Sequence, residues 1–531
     1  MKPTVLLLVL TLALVPAGAD DKKDDKKPAD SPAAKLPLGR DTTYVVGPLD
    51  KHGYVDYEAA LNAELGRGVT RENNANVLLW EVFGPRPEGA EMPTGYFKWL
   101  DAPAPPPGGA YLVGMHTLFR EQFGLTDAQL EAVYEVQSRS TQWPWVPKDC
   151  PPLAEWLKLN EKPLARAAKA VERPHYFNPL VTRRKEDEPG SLIGALLPGV
   201  QKCRELASAF TARATLRVGE GKFDEAWADI LACHRLGRHV SRGGTLIEGL
   251  VGVAVCQIAH NATLVYLDRA KLTSGQAAAR LKDLRDLPKL APLADKIDIT
   301  ERFMGLESVQ NFSRTGTGGR FLFSEVFGEN RKPSAAERKA LEVIDWTPVM
   351  KSMNGWYDRM AAAMRMKDRA TREKEFDAIE KDLAGIKKEV TGEKLSRQLL
   401  AKDGPGEAVG KAIGDVLMAL LMPAVRKVHT AYDRAEQAER NLHVALALAA
   451  YHAENGRYPA ELADLAPDYL AAVPGDVFSG KPLIYKPSAK GYLFYSVGPN
   501  GQDDGGNSYD DDPPGDDPRV RMPLPEPKRN P

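Results

Sequence analysis

Residues 451–465 read YHAENGRYPAELADL, and the two stretches that follow, 473–485 and 491–506, read VPGDVFSGKPLIY and GYLFYSVGPNGQDDGG. Upstream of them, apolar side chains recur at helical spacing from residue 424 to residue 455, which predicts one long helix. Asn455 and Gly456 are expected to end this helix because both residue types tolerate a positive φ. The C-terminal part of the chain is therefore predicted to be built around one long helix.

Strand-like runs follow this helix at 482–485, at 492–495 and, less regularly, at 473–478. Lys490 and Gly491 lie between the first two runs, where they predict a hairpin turn. The helix and the strands together predict a small α+β domain over residues 424–512. The remaining residues, 513–531, are rich in proline and charge and are predicted to form a disordered tail.

In this order, the three quoted segments resemble the soluble domain of the type II secretion major pseudopilins. In that family a long helix ends in NGRYP, a P-D-P-W-G-x-P-Y segment follows, and strands with a Gly/Asp loop complete the domain. The likeness covers residues 430–512, but Val477-Phe478 stands where the family usually has Pro-Trp. The family's processing motif and membrane helix are also absent from the sequence. The resemblance implies that this region shares the pseudopilin fold but that the chain is not a working pilus subunit.

The resemblance also implies a calcium site in the last loop, with Asn500 and one or both of Asp503 and Asp504 as the best-placed ligands. The residues themselves favour the same ion, because calcium takes six to eight oxygens and six oxygen-bearing side chains lie within thirteen residues here. These candidate metal ligands are Asn500, Asp503, Asp504, Asp510, Asp511 and Asp512. The alternative is a solvated acidic tail, since the spacing does not match an EF-hand.

Residues 1–19 have the pattern of a secretory signal, with Lys2 at the start, an apolar run of eleven residues at 5–15 and small residues up to Ala19. Eleven residues are too few to cross a bilayer, which takes about 18–20. We therefore expect cleavage near Ala19 and export to the periplasm or the cell exterior. The charged stretch 20–40 predicts a flexible linker. No other apolar run is long enough to span, so we expect no transmembrane helix in the mature chain.

Residues 41–190 have a mixed pattern that predicts a loop-rich domain, and five of the eight tryptophans lie there. These five are Trp80, Trp99, Trp143, Trp145 and Trp156. They could line a binding groove or fill a core, and the second arrangement is the commoner one. The segments GPLDKHGYVDY, ENNANVLLW and PEGAEMP, at 47–57, 72–80 and 87–93, look similar to an uncharacterised family of large secreted bacterial proteins, which implies no activity.

Residues 191–423 are predicted to form a helical bundle. Apolar stripes on two helical arms flank a break at Gly219–Lys222, so the arms are expected to pack as an antiparallel pair. This arm-turn-arm resembles a tetratricopeptide-type hairpin, including GKFDEAW, but only about one repeat is recognisable. The fold class is therefore mainly α, a helical bundle with a tetratricopeptide-like hairpin, plus the small α+β pseudopilin-like C-terminal domain.

One motif in the bundle, RGGTLIE at 242–248, mimics the processing site of pilin precursors. Such a site must lie near the N-terminus to be processed during export, so we expect Glu248 instead to cap or pair inside the bundle. Cys233, His234, His239 and His260 could supply soft metal ligands. Adjacent residues on a helix point to different faces, however, and simple burial is the expected role of these side chains.

The four cysteines, Cys150, Cys203, Cys233 and Cys256, form no CxxC pair and are expected to be free and buried. The sequence leaves a disulfide between Cys203 and Cys233 as an alternative, although the two residues lie out of register on the predicted arms.

The chain has 71 Lys and Arg residues and 72 Asp and Glu residues, which gives a net charge of −1. This balance excludes a strongly basic protein, so we expect no nucleic-acid partner. No nucleophile, zinc-binding or phosphate-binding motif is present in the sequence. The leading hypothesis is an exported, non-catalytic protein of the cell envelope that binds or assembles with protein or envelope components. The alternative is a secreted hydrolase with its site in the Trp-rich N-terminal domain, where His116 and His175 or convergent carboxylates would carry the reaction.

Overall fold

The structure, a computed structural model, describes residues 36–87, 89, 91–183, 189–195, 197–316, 334–389, 392–400, 406–421 and 423–526. The predicted signal segment and most of the predicted linker lie outside the described residues. Over these residues the protein is mainly helical and has one small three-stranded antiparallel sheet, which confirms the coarse fold class, mainly α with a small β part.

Seventeen α-helices of six or more residues occur in the described part of the chain. In chain order they are α1 (Tyr57–Leu65), α2 (Ala75–Phe83), α3 (Thr94–Trp99), α4 (Asp127–Ser140), α5 (Pro151–Leu159), α6 (Glu161–Ala170), α7 (Pro198–Gly219), α8 (Phe223–Ser241), α9 (Leu246–Arg269), α10 (Ser274–Arg285), α11 (Arg302–Thr315), α12 (Ala335–Glu342), α13 (Thr347–Arg365), α14 (Arg369–Glu389), α15 (Gly392–Leu399), α16 (Glu407–Leu421) and α17 (Pro423–Asn455). Outside these seventeen α-helices, Lys296–Glu301 forms a six-residue π-helical turn, and shorter helical turns are Met115–Thr117, Leu118–Gln122, Pro147–Asp149, Leu192–Gly194, Leu293–Asp295 and Leu462–Leu465.

The chain divides into two compact units, and each unit combines three separate segments. The first unit takes its described residues from Met1–Arg67, Pro179–Leu196 and Pro292–His429. The second unit takes them from Gly68–Asn178, Leu197–Ala291 and Thr430–Pro531. These boundaries differ from the consecutive domains predicted at 41–190, 191–423 and 424–512, because helical periodicity identifies helices but not the helices with which they share a core.

The first unit contains a fully buried arginine. Arg302 of α11 donates to a carboxylate oxygen of Asp298 at 2.6 Å and to one of Asp358 at 2.7 Å. It also donates to the side-chain oxygen of Asn354 at 3.0 Å, and its guanidinium lies 4.1 Å from the ring centre of Tyr44. The arginine thus joins α11, α13 and the segment that contains Tyr44 within this unit.

The predicted helical hairpin is present in the second unit. Helix α7 ends at Gly219 and α8 begins at Phe223. Asp229 of α8 accepts hydrogen bonds from Arg213 and Arg217 of α7, with distances of 2.6 to 2.9 Å. The two arms are therefore antiparallel, while their likeness to a tetratricopeptide repeat remains a prediction.

The long C-terminal helix is also present: α17 ends at Asn455, and Gly456 follows it with a φ of +68°, in agreement with the prediction. The sheet contains β1 (Ile484–Ser488), β2 (Gly491–Tyr495) and β3 (Arg519–Met522), in the order β1-β2-β3 with antiparallel neighbours. Phe494 at its centre is opposite Tyr485 on one side and Val520 on the other.

Two predictions for this region were wrong. The third strand is formed by Arg519–Met522 and not by 473–478, which forms a turn. The predicted disordered tail, 513–531, therefore contains an ordered strand, and Val520 and Met522 on this strand are buried. The apolar side chains alternate with Arg519 and Arg521, a pattern that predicts a half-buried strand but is only four residues long.

The sheet and the second half of α17 share a core with α8 and α9. Leu442 and Leu446 of α17 belong to the same cluster of buried residues as Phe494 of the sheet, Trp227 of α8 and Tyr266 of α9. The C-terminal α+β region is thus an integral part of the second unit, and not the separate domain predicted over 424–512.

Among the described residues, two helical stretches are long and apolar enough to cross a membrane by length and composition alone, Leu246–Arg269 and Glu407–Asn455. Their most apolar windows are 56% and 64% buried within the protein. Core helices of soluble proteins meet the same criteria, so the expected absence of a transmembrane helix remains a prediction.

Candidate functional site

A buried aspartate organises the start of the C-terminal loop. Asp476 accepts hydrogen bonds from the backbone N–H of Phe478 at 2.8 Å and of Val497 at 3.2 Å. It also accepts from the hydroxyls of Ser479 at 2.7 Å and of Ser496 at 2.6 Å. The first and third of these donors stabilise the turn around Asp476 itself, and the bonds from Ser496 and Val497 attach this turn to the end of β2, where the glycine- and aspartate-rich loop begins.

Three aspartates from two parts of this loop converge. Carboxylate oxygens of Asp504, Asp516 and Asp517 all lie within 4.8 Å of one another. Asp517 accepts from the backbone N–H groups of Asp504 at 3.1 Å and Gly506 at 2.8 Å. Asp504 in turn accepts from the backbone N–H of Asp516 and from the side-chain amide of Asn500, both at 3.0 Å. We call these three side chains the aspartate cluster.

Two oxygens of the aspartate cluster are buried without a donor. Oδ1 of Asp516 and Oδ1 of Asp517 have no hydrogen-bond partner among the described residues, and Asp517 is only 2% exposed. Burial raises the pKa of both side chains, and the neighbouring charge of Asp504 raises it further. These two oxygens of the aspartate cluster are therefore able to accept a cation or a proton.

The backbone leaves room beside these oxygens. Gly498 has a φ of +67°, and a Cβ at this position would lie 2.4 Å from Oδ1 of Asp516. Any larger residue would therefore be strained and would also fill the space next to the unpartnered oxygen. One cation is already close, because the Arg434 guanidinium lies 3.4 Å from the other oxygen of Asp516.

Only two of the six predicted metal ligands take part in these contacts, namely Asn500 and Asp504. Asp503 instead accepts from the hydroxyl of Tyr495 at 3.0 Å and from the backbone N–H of Gly505 at 2.9 Å. Asp511 pairs with Arg519, whose hydrogen bond, with those from Ser508, lowers the pKa of that carboxyl.

Asp510 and Asp512 are exposed. Asp516 and Asp517 were missed as ligands because the sequence analysis placed them in a disordered tail. Recognition of the alternating strand at Arg519–Met522 would have placed them beside the loop.

The described residues of the Trp-rich region contain no comparable group of metal-ligating side chains. Trp80, Trp145 and Trp156 are buried in the core of the second unit, and the ring N–H of Trp156 donates to the carbonyl of Val113 at 2.8 Å. His116 is exposed, as is His175. Three of the five tryptophans thus fill a core here, whereas Trp99 is exposed and Trp143 is partly buried beside Arg269.

The other candidate residues have structural roles. Glu248 is buried, and it forms a capping box with Thr245 at the start of α9 and accepts from the side-chain amide of Asn178 at 2.7 Å. This confirms the predicted role of the RGGTLIE motif. All four cysteines are free and buried, so Cys203 and Cys233 form no disulfide.

In comparisons with known proteins, no family model, no curated protein and no solved structure matches the chain.

Proposed function

We propose that this chain is an exported, non-catalytic binding or assembly protein of the cell envelope, and that its pseudopilin-like C-terminal part is stabilised by calcium. One observation supports this proposal above the others: the aspartate cluster contains two buried oxygens that lack donors. A helix packed on a small antiparallel sheet, with a Gly/Asp loop after the second strand, is consistent with the resemblance to the pseudopilins.

Charge and chemistry favour a divalent cation with oxygen ligands. Three ionised aspartates carry three negative charges, and Arg434 offsets one of them, so two remain. Calcium accepts irregular sets of carboxylate, amide and carbonyl oxygens, whereas magnesium requires a near-ideal octahedron and loses water reluctantly. Asp504, Asp516 and Asp517 would hold the ion, and Asn500 adds an amide next to Asp504.

Calcium binding should stabilise the folded protein. A ligand that binds only the native state raises the unfolding free energy by about 2.7 kcal/mol at a concentration one hundred times its Kd. We expect the melting temperature of the purified mature chain to rise with added calcium and to fall with EGTA. Asp504→Asn combined with Asp517→Asn should remove this response.

Asp510→Asn combined with Asp512→Asn is the matched control, because it removes two exposed carboxylates from the same segment. This control should keep the full calcium response. Equal melting of the unmodified protein in calcium and in EGTA would refute the calcium part of the proposal, as would loss of the response in the control.

The export and binding parts need separate tests. Export predicts that the protein recovered from outside the cytoplasm begins at Asp20, which mass spectrometry of the intact chain can establish. The non-catalytic assignment would be overturned if the mature protein turned over a hydrolase substrate and a single carboxylate substitution abolished that turnover. The binding assignment predicts reproducible cross-links between the mature protein and an envelope component in its own cell.

A further inference from the structure

Three histidines from three helices of the second unit lie together in its interior. His234 of α8 and His260 of α9 are 1% and 3% exposed, and their ring centres are 5.3 Å apart. His443 of α17 is partly buried, and its neighbour Leu442 shares a core cluster with Ile230 of α8 and Ala262 of α9. The charge of His443 acts on both of the other rings. We call His234, His260 and His443 the histidine cluster.

Most polar atoms around the histidine cluster have no hydrogen-bond partner among the described residues. Neither ring nitrogen of His260 has one, nor do Nδ1 of His234 and Nε2 of His443. The same holds for the Tyr432 hydroxyl and for Nε of Arg238. The one bond to a ring joins Nε2 of His234 and the Thr263 hydroxyl at 3.0 Å. Buried polar groups are costly unless protein or water satisfies them, so this part of the core concentrates polar groups that the described side chains do not pair.

The charged groups that act on the histidine cluster already sum to a positive charge while the imidazoles are neutral. These groups are Arg238 of α8, Arg285 of α10 and Glu439 of α17, while Cys256 of α9 lies close to Arg238, and Tyr432 of α17 lies close to Cys256. Glu439 is the carboxylate among them, and it already accepts a hydrogen bond from Arg238 at 2.6 Å. Each proton taken up by an imidazole therefore adds a positive charge near Arg238 without a new counter-charge.

We propose that the histidine cluster is an acid-sensitive latch, in which protonation of the imidazoles releases the 430–455 part of α17, with the sheet packed on it, from α8 and α9. In the open form the imidazoles reach water, and their affinity for protons becomes ordinary. Opening would also expose apolar side chains that now share one core, among them Leu446 of α17 and Trp227 of α8.

The direction and size of the effect follow from proton linkage. Burial, and then Arg238 and His443, lower the pKa of His260 to about 3, against about 6.5 for a histidine in water. Between these values the open form binds more protons, so opening becomes easier as the pH falls. From pH 7 to pH 5, His260 alone should favour opening by roughly 25-fold.

Hydrogen exchange of the full mature chain, corrected for the intrinsic rate at each pH, tests the latch. We expect amide protection in residues 436–455 to fall at least tenfold from pH 7 to pH 5, while protection in α13 of the first unit changes much less. His260→Leu should strongly reduce this pH response. His443→Gln should also reduce it, and this variant leaves His234 and His260 in place.

His239→Leu is the matched control on the same helix. His239 is buried and burial lowers its pKa to about 4, but its ring bonds to the carbonyl of Val171 at 3.1 Å and it stands outside the cluster. This variant should keep the pH response of residues 436–455. The latch would be overturned if that response were absent, if α13 lost protection equally, or if the His260 and His443 variants kept the full response.

Discussion

Two buried arginines, one in each unit, have very different surroundings. Arg302 in the first unit donates to two carboxylates and an asparagine, and all of its nitrogens have partners. Arg238 in the second unit is 2% exposed, pairs with Glu439 alone, and leaves Nε without a partner among the described residues. The first arginine completes a polar network, and the second lies in an incomplete one.

The two sets of polar groups differ in how their charge depends on pH. Burial alone would raise the pKa of Asp298, but hydrogen bonds from Arg365 and the charge of Arg302 outweigh burial and lower it. That network therefore keeps its charges at any pH near neutrality. The imidazoles beside Arg238 are neutral only because burial and neighbouring positive charge disfavour protonation, so their state depends on pH.

The largest expected effect concerns the complete network. Arg302→Met would leave Asp298 without its buried partner, and removing one member of a buried ion pair costs about 3–5 kcal/mol. We expect this loss in the unfolding free energy from urea denaturation, monitored by a probe in the first unit. Arg365→Met removes a half-exposed arginine that also contacts Asp298, and it should cost under about 1 kcal/mol. Similar losses for the two variants would erase the distinction between the networks.

Acid should act mainly on the incomplete network. Histidines whose folded pKa lies below the unfolded value of about 6.5 contribute stability above that pH, and the contribution is lost as the pH falls toward the folded pKa. For His260, with a pKa of about 3, the loss at pH 5 is about 2 kcal/mol, and His234 and His443 add to it. Urea midpoints at pH 7 and pH 5 should fall more for the second unit than for the first. Parallel shifts in both units would contradict this.

The smallest expected effect is a gain in the free energy of unfolding at neutral pH, when a buried ring without hydrogen-bond partners is removed. His260→Leu replaces a ring whose two nitrogens have no partner by an apolar side chain, and a buried unsatisfied group costs about 1–3 kcal/mol. We expect thermal unfolding at pH 7.5 to show a gain of about 1 kcal/mol. His239→Leu breaks a bond to the Val171 carbonyl and should instead destabilise the protein. A loss of stability in the His260 variant equal to that in the His239 variant would show that the ring is well accommodated.

The sequence predicted local structure better than assembly. The end of α17 at Asn455 and the break between α7 and α8 were predictable because glycine and asparagine mark such positions locally. The capping role of Glu248 was predictable for the same reason, since Thr245 lies three residues before it.

Long-range relations were not predictable from these patterns. His234 and His260 belong to a set with Cys233 and His239 for which the sequence predicts burial, but nothing in their spacing indicates that His443, nearly two hundred residues later, approaches them. Asp516 and Asp517 were overlooked because a four-residue strand carries too few alternations to stand out from a proline-rich tail. The units themselves are discontinuous, so no linker marks their boundaries in the sequence.

The position of β3 sets the order of events during biosynthesis. The second unit begins at Gly68, yet its sheet is completed only by Arg519–Met522, and the backbone N–H of Leu524 then donates to Asp268 at the end of α9. Because β1, β2 and β3 all lie within the last fifty residues of the chain, none of the sheet exists while the middle of the gene is being translated. More than four hundred residues must therefore be made before the second unit reaches its native state, so α7, α8 and α9 wait for most of translation without the C-terminal part of their core.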